Sequence, residues 1–109
     1  MAIPHARPGE PIDIRPLGGG LASAKTVALF KSRDLEVMRV VLLAGKSLPN
    51  HKVPGEITVQ CLEGRIDVTT EGASHVLAAG QLLYLRGDVL HGVTALEDSS
   101  FLVTVVLRG

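Results

Sequence analysis

From Ala24 onward the chain is written in short runs rich in valine, leucine, isoleucine and threonine, separated by small clusters of glycine, proline, aspartate and serine. The runs cover residues 25–31, 35–44, 56–62, 65–70, 74–78, 81–85, 91–96 and 101–107. β-Branched side chains fit a pleated, half-buried surface, and runs of this length bounded by turn formers read as strands. The breaks carry their own chemistry. Glycine supplies positive φ, proline presets φ, and Asp and Ser bond to nearby backbone. The clearest breaks are Ser32-Arg33-Asp34, the long stretch 45–54, Glu63-Gly64, Glu71-Gly72 and Arg86-Gly87-Asp88. Many short strands at regular spacing predict a sandwich or a closed barrel. Alanines leave a helix open only over residues 21–30.

Period-two alternation assigns faces. Ile57, Val59 and Cys61 share one face of their strand, and Thr58, Gln60 and Leu62 share the other. Ile66 and Val68 alternate with Arg65, Asp67 and Thr69, while His91, Val93 and Ala95 share a face. Two strands depart from this pattern. In 35–44, Met38, Val40 and Leu42 oppose Val37, Val41 and Leu43, so both sides are apolar. In 101–107, Phe101, Val103, Val105 and Leu107 oppose Leu102 and Val106. An antiparallel strand covered on one side alternates, so these two strands require cover on both. A homodimer is the simplest source of that second surface.

The first 20 residues differ in kind. They hold four of the six prolines and four of the twelve glycines and read as an extended arm, with a short strand at Ile12–Arg15 and with His5 inside it. The division expected is an arm over 1–20 and a barrel over 21–109. The chain has 109 residues, which suits one domain. It is 46% hydrophobic and carries no formal net charge. A neutral chain lacks the basic face that nucleic acid or an anionic membrane requires. No window approaches a membrane span, and the first residues lack the apolar core of a secretory signal. One cysteine, Cys61, forbids an internal disulfide. The expectation is a cytoplasmic protein.

Two motifs narrow the fold. "GKSLPNHKVPGEITVQCLEG" places Gly45, five residues, then His51, with Gly64 closing the segment. "GQLLYLRGDVLHGVTA" places Gly80, then Arg86, then His91. In these segments the chain resembles the cupin family of small barrels, and the likeness runs from about Leu35 to Leu107. The resemblance implies an all-β, jelly-roll-like double-stranded β-helix. The family's first motif runs Gly, five residues, His-x-His, three or four residues, Glu, six residues, Gly. Here Val53 stands at the second histidine and Ile57 at the glutamate; the neighbouring Glu56 falls on the opposite face by alternation. The second motif runs Gly, five residues, Pro-x-Gly, two residues, His, three residues, Asn. Here Arg86, Asp88 and Ala95 replace the proline, glycine and asparagine.

The resemblance implies a divalent transition metal (Fe, Mn, Zn or Ni) at His51 and His91. Such ions take imidazole and carboxylate donors converging at about 2.0–2.2 Å, and this chain keeps two of four. The other reading of the same histidines is that they line a cavity and bond to water or an organic ligand. The cavity walls expected are Val53, Ile57, Val59, Cys61 and Val93. Cys61, on the face of Ile57, is a candidate soft donor, although an isolated cysteine on an apolar face is commonly a small buried hydrophobe. His75, beside a turn, is expected to face solvent. "GGGLASAKT" approaches a phosphate-binding loop but lacks the glycine before Lys25 and has no strand ahead of it. Three classes of function remain: a metal-dependent enzyme of the kinds cupins include (dioxygenases, isomerases, decarboxylases), a non-enzymatic small-molecule binder, and a dimeric accessory protein with a degenerate metal site.

Overall fold

The computed structural model describes residues 5–107. Nine strands follow a short 3-10 helix, Gly18–Ser23: β1 (Val27–Lys31), β2 (Leu35–Leu42), β3 (Ser47–His51), β4 (Ile57–Glu63), β5 (Arg65–Thr70), β6 (Ala73–Ala78), β7 (Leu82–Leu85), β8 (His91–Ala95) and β9 (Ser99–Val106). Among the described residues the strand pairings are antiparallel, and they form two sheets, ordered β1-β2-β9-β4-β7 and β3-β8-β5-β6. Strands close in sequence thus alternate between two facing sheets, which is the double-stranded β-helix.

The alternation read from the sequence is the alternation of burial. Ile57, Val59 and Cys61 are buried, while Thr58, Gln60 and Leu62 on the other side of β4 are half-buried. Register carries these faces across strands. Met38 lies opposite Val103 and Val103 opposite Val59; Val40 lies opposite Phe101 and Phe101 opposite Cys61. From the facing sheet, Ile66, Val68, Val93 and Ala95 close the core.

The double-sided strands find part of their second cover within the chain. Arg39 lies in the outer row of the five-stranded sheet, opposite Leu102, and is only 8% exposed. The arm crosses there. The Arg39 guanidinium donates to the Arg15 carbonyl (2.8 Å), and the N–H groups of Leu17 and Gly18 donate to the Glu63 carboxylate at 2.8 and 3.0 Å. Leu21 of the 3-10 helix is buried, and Ala6 donates to the Leu29 carbonyl along the β1 edge. The arm therefore packs on its own barrel.

Three local expectations are corrected. Residues 12–15 pair in no strand: two prolines flank them, and proline lacks the N–H a ladder needs. The stretch open to helix is the 3-10 turn followed by β1, because Thr26 and Val27 begin a β-branched run that pairs with β2. The long break after Gly45 hides strand β3. Its Pro49 obscured it, and β3 is an edge strand, the place where proline is tolerated.

Candidate functional site

His91 opens β8 and His51 closes β3, and the two are register partners directly across that pair of strands. Their ring centroids lie 4.5 Å apart with the planes tilted by 51°. His91 follows the simple alternation of β8. His51 does not. Between Leu48 and His51 the register slips, so that three steps along β3 match two along β8. Such a bulge inserts one residue and re-aims the next side chain. Leu48 and Val93 face the barrel interior, and without the extra residue at Pro49-Asn50 His51 would face out.

Both rings are held by backbone. Nδ1 of His91 is 2.9 Å from the Val89 carbonyl, and Nδ1 of His51 is 3.3 Å from the Pro49 carbonyl. His91 is buried at 5% exposure, whereas His51 is exposed at the rim. The rim is braced by the loop before β8. Asp88 stands where the family motif has glycine and adopts φ +63; aspartate is among the few residues that enter this region. Its N–H donates to the Val53 carbonyl at 2.8 Å, tying the two motif segments together.

The histidines border a cavity of about 550 Å³. Val53, Ile57, Val59 and Val93 line it as well. The sequence reading passed over the opposite wall, formed by Met38 and Val40 of β2 and by Phe101, Val103 and Val105 of β9, and over Leu48. Period two already placed the β2 and β9 residues on shared faces. It also carries Glu36, two positions before Met38, to the mouth, where Arg33 of the β1–β2 turn joins it. Turn residues have no periodicity, so nothing in the sequence pointed to Arg33.

Cys61 is corrected. It shares the face of Ile57 but does not line the cavity. It is fully buried next to Phe101, with its thiol toward the carbonyls of Glu63 (3.5 Å) and Gly64 (3.7 Å). Burial pushes this thiol above its ordinary pKa, and a protonated thiol is a poor nucleophile and a poor ligand. The alternation was right; the barrel's depth separates Cys61 from the rim. His75 also differs from its expectation: it is half-buried, with Nε2 2.8 Å from the Thr70 hydroxyl. Glu56 points outward and accepts a hydrogen bond from the Tyr84 hydroxyl, as its alternation required. His5 lies in the arm near Ala28 and Leu29, away from the cavity.

The donor set settles how far this centre suits a resident metal. Among the described residues no group of three or more His, Cys, Asp or Glu side chains is arranged to hold an ion. Val53 and Ile57 put hydrocarbon at two motif positions where the family places donors. A first-row ion needs about four donors, and two imidazoles do not fit it. Among the described residues no helix is long and apolar enough to cross a membrane.

Comparison with known proteins agrees with the geometry. The fold is shared with a conserved protein of unknown function from Streptococcus pyogenes, at 20% identity over 100% of this chain and 96% of that one, with a TM-score of 0.76. KdgF from Halomonas sp. is similar at 22% identity, with 77% and 78% of the two chains covered and a TM-score of 0.71. An RmlC-like cupin protein from Desulfovibrio desulfuricans is 27% identical over 74% of this chain and 79% of its own, with a TM-score of 0.69. No curated protein matches the chain. The family model of the cupin domain matches residues 38–107, the span that holds both motifs, both histidines, most of β2 and all of β3 to β9, and the chain belongs to the cupin family.

Proposed function

We propose that this cupin binds a small organic molecule in its barrel, with His51 and His91 at the polar end of the site and without a resident metal. One observation carries the reading: two imidazoles with centroids 4.5 Å apart border a cavity of about 550 Å³ whose other walls are mostly hydrocarbon. Small-molecule sites have this composition, an apolar body with a few placed polar groups, and this range of volume. The barrel supplies shape, and the histidine pair supplies orientation.

The test uses protein purified without a metal-affinity tag. Metal content is measured for the wild type, His51→Ala and His91→Ala, alongside calorimetric titration with small apolar compounds. The expected result is metal well below one ion per chain in all three, with ligand affinity reduced in both variants. Near-stoichiometric metal in the wild type that is lost in both variants would overturn the reading in favour of a metal-dependent site.

We also propose that the chain is a homodimer. The arm covers only part of the outer face of the five-stranded sheet. On that face Leu82 and Tyr84 of the edge strand β7 remain 62% and 55% exposed, next to Gln60 and Thr58 of β4. A second copy is the simplest cover for such a surface on a chain with no net charge.

A further inference from the structure

The tautomers of the two histidines set what the cavity can recognise. This inference rests on the ligand-binding reading above. A backbone carbonyl only accepts hydrogen bonds, so the ring nitrogen facing it must carry the proton. Nδ1 of His91 faces the Val89 carbonyl at 2.9 Å, and Nδ1 of His51 faces the Pro49 carbonyl at 3.3 Å. In a neutral imidazole with Nδ1 protonated, Nε2 is a lone-pair acceptor. Neither Nε2 has a hydrogen-bond partner among the described residues. The polar end of the cavity therefore offers two acceptors from its imidazoles.

Apart from the two histidines, the lining side chains are apolar except Arg33 of the β1–β2 turn and Glu36 of β2, and neither sits on β3 or β8, the strands that carry the imidazoles. A ligand group entering between the imidazoles must donate. A hydroxyl does so. A carboxylate brings only lone pairs, gives up its water and finds no donor from these rings, which is the costly case for a buried polar group. A site built around one hydrogen-bonding sense rejects the opposite sense strongly.

We infer that the cavity selects neutral apolar molecules bearing a hydroxyl donor, phenols and alcohols, over carboxylates of the same shape. Three compounds of matched body test this: 4-propylphenol, 4-propylbenzoate and propylbenzene, titrated calorimetrically at pH 8. The phenol is expected to bind about 10-fold or more tighter than either of the others, the worth of one well-made buried hydrogen bond. In His91→Phe, which keeps an aromatic ring and removes the acceptor, the phenol's advantage over propylbenzene is expected to shrink while propylbenzene itself still binds. A wild-type protein that binds the benzoate as tightly as the phenol refutes the inference alone. A wild-type protein that shows a cooperative unfolding transition yet binds none of the three refutes the ligand-binding reading, and the inference with it.

Discussion

Gly64 and Gly45 both belong to the first motif and have nearly the same backbone, φ +80 and +82, yet their replacement by alanine is expected to have unequal effects. Any Cβ in this left-handed region costs about 1–2 kcal/mol, and that is the whole expectation for Gly45→Ala, because nothing lies within 4 Å of the added carbon. At Gly64 the same carbon would sit 2.3 Å from the Asp98 carbonyl oxygen and 2.3 Å from the Ser99 hydroxyl. Neither can step aside easily. Asp98 meets it with backbone. The fully buried Ser99 hydroxyl is engaged with the Glu97 carbonyl (2.7 Å), the Arg65 carbonyl (3.1 Å) and the Arg65 N–H (3.0 Å). Forcing an atom into such packing adds about 1–3 kcal/mol, so Gly64→Ala is expected to cost about 2–5 kcal/mol in all. That is a large share of the ~5–15 kcal/mol that holds a domain folded. Urea unfolding followed by circular dichroism gives both values from the midpoint shift at constant slope. Equal destabilisation of the two variants, within about 0.5 kcal/mol, would refute the claim that the turn after β4 is packed against the β8–β9 connection.

Three other outcomes are expected. Glu63 holds the arm, and although burial pushes its pKa up, the Leu17 N–H, the Ser100 hydroxyl, the Gly18 N–H and the Arg39 charge bring it below the ordinary 4.5. A lowered carboxylate stabilises fully above the unfolded value and loses that contribution as pH falls through the folded one. The Leu17 and Gly18 amide resonances should therefore titrate below about pH 4.5 in the wild type and stay flat over that range in Glu63→Gln; a flat wild-type profile would count against the docked arm. If the proposed homodimer uses this face, Leu82→Glu should shift the mass measured by light scattering from dimer to monomer without altering the circular dichroism; a monomeric wild type would refute the dimer, and an unchanged dimer would refute this interface. Restoring the two absent motif donors, as Val53→His with Ile57→Glu, should lower stability in the absence of metal by several kcal/mol, because an ionised carboxylate would replace a buried isoleucine. Added Zn²⁺ should then raise the melting temperature in proportion to the logarithm of its concentration, an effect expected to be far smaller in the wild type.

The strand content, the faces of β4, β5, β8 and β9, and the family were legible in the sequence. Each rests on a local rule: β-branched residues favour the pleat, side chains alternate with period two, and turn residues punctuate. His91, Val93, Ile57 and Val59 reach the cavity by that rule alone. His51 reached the candidate list through its place in a motif, and only the bulge at Pro49-Asn50 turns it inward. A bulge is a pairing event between two strands 40 residues apart, which no single strand encodes. The fate of Cys61 was likewise undecided, since period two fixes a face but says nothing of depth. The second cover of β2 and β9 shows the same limit. The sequence required a surface over their outer sides, and the tertiary structure supplied part of it from the chain's own arm, through Arg39 and Glu63 reaching residues far from them in sequence. Local pattern determines which side of a strand is apolar, whereas what meets that side depends on contacts made only when distant segments come together.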